Sequence, residues 1–140
     1  MNKTVALLSL LGASAVAAGK EPDWTAFQKT VEAAKTCEDK TLRPVLALAD
    51  SEDFTGADSS EALSEANEDL FLRCPVAFLQ ALKHEPAARQ ARIASLYFGV
   101  TRADWELGAI LGRLRNHPEV GSVVTTHFMK YVQAKAPHEQ

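Results

Sequence analysis

Two cysteines, four histidines and eighteen carboxylates are the side chains with which this chain could do chemistry. Cys37 and Cys74 form an even pair, which in an oxidising compartment reads first as a structural disulfide. For a loop of that length the chain-entropy model gives a stabilisation of roughly 3 to 4 kcal/mol. A redox-active reading lacks its signature, since there is no C-x-x-C and neither cysteine has a histidine beside it in sequence. Zinc held by two cysteines and two distant histidines lacks the required pairwise spacing.

The histidines offer little more. If successive helices alternate in direction, His84 and His117 come to one end of the molecule near Glu85 and Glu119, where a metal or a proton-sensitive cluster would be possible. A histidine following the last turn of a helix more commonly complements the negative end of the dipole. His127 shares an apolar stripe with Val124, Phe128 and Tyr131 and reads as a core histidine.

The acidic run from Asp50 to Ser60 does not make a calcium loop. With Gly56 at the sixth position, Ser51, Asp53 and Thr55 fall at the first donors, but Ala62 stands where the bidentate glutamate belongs. No nucleophile elbow, P-loop, H-E-x-x-H or haem-attachment motif occurs. The expectation is a protein that is not an enzyme and holds neither metal nor cofactor.

Charge is distributed unevenly. Residues 37–69 carry ten acids against two bases, a net of −8, whereas residues 73–115 carry seven bases against three acids, a net of +4. The two halves either pack together and neutralise each other or leave a steering surface for a partner of opposite charge. Asp50, Glu52, Asp53, Asp58 and Glu61 are the candidate contact residues, because a charged loop on a rigid scaffold is where binding tends to reside. The implied partner is another protein with a basic surface. Arg89, Arg92, Arg113 and Arg115 lack interleaved aromatics in an acidic chain, which argues against nucleic acid.

The elements that must position these residues are all helical in period. A first helix capped by Asp23 carries Trp24, Phe27, Val31 and Ala34 on one stripe and delivers Cys37. Pro44 suits the first turn of a short second helix. Asp58 with Glu61 three positions on suggests a capping box for a third, whose stripe is Leu63, Ala66, Leu70 and Cys74. Pro75 kinks or restarts that helix. The next helix runs to about Phe98, with Ile93, Leu96 and Tyr97 inward and Gly99 at its C-cap. Thr101 and Asp104, with Val100 and Trp105 as a hydrophobic staple, open a helix containing Leu107, Ile110, Leu111 and Leu114. Its Gly108, Ala109 and Gly112 make a flat strip for a close helix neighbour. Pro118 opens the last helix, with Val120, Val123, Val124, Phe128, Tyr131 and Val132 apolar, and the tail from Ala134 to Gln140 reads as frayed.

The fold expected is therefore all-α: about six helices in a compact bundle or a short stack of antiparallel hairpins, with one disulfide. Residues 1–18 have the order of a secretory signal peptide: Lys3, an apolar run from Val5 to Leu11, and small residues ending in Ala17-Ala18. That run is too short to span a bilayer. Cleavage there removes Lys3, takes the formal net charge from −3 to −4, and leaves residues 19–140 as a single helical domain in the periplasm or outside the cell. Such a chain suits a stoichiometric inhibitor, for example an effector-immunity protein. The alternatives are a periplasmic chaperone or stress protein, and a small-ligand carrier with an apolar pocket between the Trp105 helix and the last one.

Overall fold

A computed structural model describes residues 20–139, so the proposed export segment lies outside the described residues. Within them the chain forms eight α-helices and three short 3-10 turns, with no strand. The helices are α1 (Trp24–Ala34), α2 (Asp39–Ala47), α3 (Ala57–Arg73), α4 (Pro75–Lys83), α5 (Ala87–Leu96), α6 (Asp104–Leu114), α7 (Gly121–His127) and α8 (Met129–Val132). The all-α class and the single disulfide match the sequence reading. Eight helices replace about six, partly because the last apolar stripe breaks at Phe128, where φ −122° and ψ 12° leave the helical region.

The centre is α4, which packs against α2, α3 and α7. It can occupy that place because Phe78, Leu79, Ala81 and Leu82 are buried and Val76 and Ala77 pack partly against the core. Pro75 restarts the chain there: Cys74 leaves the helical region at φ −140°, and the proline takes the first position of α4, where its missing N–H has no partner to lose. The stripe Leu63, Ala66, Leu70 and Cys74 is buried along α3, as its spacing requires. Around it runs a chain of edge-on aromatic rings: Phe71 to Phe98 (5.5 Å), Phe98 to Phe128 (5.1 Å) and Phe98 to Tyr131 (5.3 Å between centroids).

Two glycines let α8 approach. A Cβ at Gly99, whose φ is +79°, would stand 2.5 Å from the Tyr131 ring. One at Gly108 would stand 1.9 Å from the Tyr131 carbonyl oxygen, so the flat strip on α6 is covered by the backbone of α8. The Tyr131 hydroxyl donates toward the carbonyls of Ala94 (2.9 Å) and Phe98 (2.8 Å), and burial pushes its pKa well above the ordinary phenol value.

Several helix starts differ from those expected. Asp23 does cap α1, accepting from the Ala26 amide at 3.0 Å. Pro44, however, lies inside α2, which begins five residues earlier at Asp39; the acceptor it strands, on Lys40, is on an exposed residue. Helix α3 begins at Ala57 with Gly56 as N-cap, so Asp58 sits in the first turn and forms no capping box with Glu61. Thr101 caps nothing. Its hydroxyl donates to Glu68 Oε1 at 3.0 Å, and α6 starts at Asp104 after Ala103. The staple does not close, and Val100 and Trp105 are both exposed. Leu96 also faces solvent, because α5 ends on it and the chain turns at Tyr97.

Candidate functional site

The two charged halves of the sequence meet through ion pairs at the surface of the fold, with one buried carboxylate beneath them. Glu85 is buried, its carboxylate held by Arg43 Nε (3.2 Å) and Arg89 Nη1 (2.6 Å). Arg89 also reaches Asp50 Oδ2 at 2.7 Å, and Arg92 closes on the other oxygen of Asp50. The Arg89 guanidinium holds the Asp50 carboxyl below its usual range, and Asp50 in turn raises Arg89. Asp69 pairs with Arg102 at 2.7 Å. A second polar centre forms at Glu68, which is wholly buried on α3. It accepts from the Ser64 hydroxyl (2.7 Å), the Thr101 hydroxyl and the amides of Thr101 (3.3 Å) and Arg102 (2.8 Å), thereby fixing the loop between α5 and α6.

This pairing divides the five candidate contact residues. Asp50 is committed to Arg89 and Arg92 and serves the scaffold. Glu52 is exposed, with Lys20 at 3.7 Å. Asp53 is half-buried in the turn Glu52–Phe54, where its amide donates to Ser51 Oγ. Asp58 and Glu61 are exposed on the first two turns of α3 and form no ion pair among the described residues. Glu65, four positions beyond Glu61, continues the same exposed stripe; the i+4 spacing was its signal.

Around them lies the segment that leads into α1. A cleft of about 230 Å³ brings Asp58 together with Lys20, Pro22 and Trp24, and a second of about 160 Å³ on the other side of Pro22 contains Asp53 with Phe27 and Phe54. Pro22 is buried, whereas Trp24 is 38% exposed and meets Phe27 edge-on at 5.8 Å. Trp24 thus leaves the core stripe on which its spacing placed it. The result is an aromatic side chain at the surface in one cleft with Asp58 and Lys20.

His84 lines one groove with Glu119, the residue that contacts His117. His84 Nδ1 lies 3.6 Å from Asp39, and His117 Nδ1 accepts from the Glu119 amide at 3.1 Å. Among the described residues no three histidine, cysteine or carboxylate side chains are placed to hold a metal ion. No helix among them is long and apolar enough to cross a membrane. Comparison of the chain with protein-family models, with curated proteins and with solved structures finds no match in any of the three.

Proposed function

We propose that this is an exported protein-binding protein, acting in the periplasm or outside the cell as a stoichiometric inhibitor in the manner of an effector-immunity protein, without catalysis. The observation that carries the reading is Trp24, exposed in one cleft with Asp58. Partly exposed tryptophan is among the side chains most enriched where binding energy concentrates, and the exposed acids Asp58 and Glu61 on α3 favour encounter with a basic surface. The scaffold is held by a disulfide and by the Asp50–Arg89–Glu85–Arg43 network. Export is supported by the character of residues 1–18 and by the paired cysteines. A ligand carrier would need space between α6 and α8, where Gly108 meets the Tyr131 carbonyl directly.

The test is affinity capture by the oxidised protein lacking residues 1–18, from the envelope and secreted fractions of its own organism, followed by mass spectrometry. One dominant partner at a one-to-one ratio is expected, weakened by salt and lost in Trp24→Ala and in the triple variant Asp53→Lys, Asp58→Lys, Glu61→Lys. A broad set of clients indifferent to these changes would instead favour the chaperone.

A further inference from the structure

The geometry points to Cys37 as a site of covalent modification by a small thiol, forming a mixed disulfide that unlatches α1. No histidine lies beside either cysteine in sequence, but the fold brings one to Cys37 in space. A groove of about 360 Å³ is lined by Cys37 together with Asp39, Gln80, Lys83, His84 and Glu119. Cys37 is partly exposed on its wall, whereas Cys74 is buried and does not line it. A thiolate entering the groove therefore meets Cys37 and not Cys74, with the Lys83 ammonium offsetting part of the repulsion from Asp39 and Glu119.

Two further features bear on the opening of this bond. Cys37 has φ +63° and is the one non-glycine residue with positive φ among the described residues. The left-handed region disfavours a side chain, so the chain leaves α1 through a costly backbone conformation, in which the Cys37 amide donates to the Ala34 carbonyl at 3.0 Å. Helix α1, which precedes it, is lightly held. Ala34 is its one buried residue, and Phe27 and Val31 are only partly covered. Beyond the disulfide, its C-terminal end is tied by Arg73 Nε donating to the Lys35 carbonyl (2.9 Å) and by the Thr36–Thr41 hydroxyl pair (3.0 Å). Such a segment opens locally at a lower free energy than the core.

The step is thiol–disulfide exchange. The thiolate sulfur bonds to Cys37 Sγ, the Cys37–Cys74 bond breaks, and its electron pair leaves on Cys74 Sγ, which takes a proton from solvent; no external oxidant or reductant is consumed. The inference stands independently of the partner that the Trp24 face binds.

The experiment incubates the oxidised protein with reduced glutathione under native conditions, quenches with acid, and maps the adduct by peptide mass spectrometry beside hydrogen exchange. The expected result is glutathione on Cys37, with loss of amide protection over residues 24–36 and retained protection in α3, α4 and α6. Gln80→Trp, which enlarges a side chain lining the groove, should slow adduct formation while leaving the melting temperature unchanged. Adduct on Cys74, exchange only after denaturant unfolds the chain, loss of protection throughout, or an unaltered rate in Gln80→Trp would each overturn the assignment.

Discussion

Gly108 and Tyr131 are joined through backbone: a β-carbon on the glycine would stand 1.9 Å from the tyrosine carbonyl oxygen. Gly112, one turn along α6, has only ordinary contact available, with Val132 Cγ1 3.6 Å from the corresponding position. The two glycines of one motif therefore have opposite roles. Gly108→Ala should destabilise the fold by about 3 kcal/mol, because the obstacle is backbone and α8 must move away. Gly112→Ala should be neutral or stabilising by up to about 1 kcal/mol through helix propensity. Denaturant titration of the two variants checks the contrast, and equal effects would contradict the close approach.

Thr101 donates to the buried Glu68 carboxylate rather than to the start of α6. Thr101→Ala should cost about 1 kcal/mol. The same figure would follow from a lost cap, so the cause is read from a double-mutant cycle with Glu68→Gln. A coupling energy of about 1 kcal/mol is expected for partners in one network, whereas additive effects would mean that the hydroxyl acts elsewhere.

The clasp of Arg89 and Arg92 on Asp50 sets a pH dependence. Its carboxyl pKa is lowered from an unfolded value near 3.8, chiefly by the hydrogen bond from Arg89. A depressed carboxylate stabilises the fold fully above that unfolded value, and the contribution disappears as pH falls through the lower folded one. The melting temperature should drop on acidification below about pH 4. Asp50→Asn should be less stable at neutral pH and lose less on acidification. Parallel pH profiles for the two proteins would show that the pair does not contribute.

Removal of the disulfide should lower the melting temperature markedly, since the domain is small and the bond ties α1 to the α3–α4 junction. What replaces Cys37 should then matter. With Cys74→Ala as background, Cys37→Gly should be more stable than Cys37→Ala by about 1 kcal/mol, because glycine accepts φ +63° without penalty. Thermal unfolding of the two double variants measures it, and a more stable alanine variant would mean that the backbone relaxes once the bond is gone.

Much of this architecture was legible from periodicity. Leu63, Ala66, Leu70 and Cys74 announced both the buried face of α3 and the reach of the disulfide, since a regular stripe of apolar side chains has few other uses. The local signals failed where a distant group competed for the same atoms. Thr101 with Asp104 has the residues of a helix cap, yet Glu68, 33 positions away, takes the hydroxyl. Asp50 looked like a free surface acid for the same reason, its arginines lying 39 and 42 positions on. Trp24 was assigned to the core by spacing, although the stripe of α1 rolls out of the interior at its N-terminal end and leaves the ring in the cleft with Asp58. The candidate site was therefore only half visible: its acids came from composition, its aromatic anchor from the fold.

The clamps that bind one segment to another share a length scale. Asn67 to Tyr97, Glu68 to Arg102, Lys83 to Glu119, Tyr131 to Ala94, Arg73 to Lys35, Arg43 to Glu85 and Tyr97 to Phe54 join positions between 30 and 43 apart. A chain emerging end-first from a ribosome or a pore can therefore lock each helix only after the next thirty or forty residues have followed. Among the described residues none of these clamps joins the two ends of the chain. The molecule is suited to assembling progressively behind its point of exit, with α8 as the last wedge, and truncations that remove α8 take away the piece against which Gly99 and Gly108 were shaped.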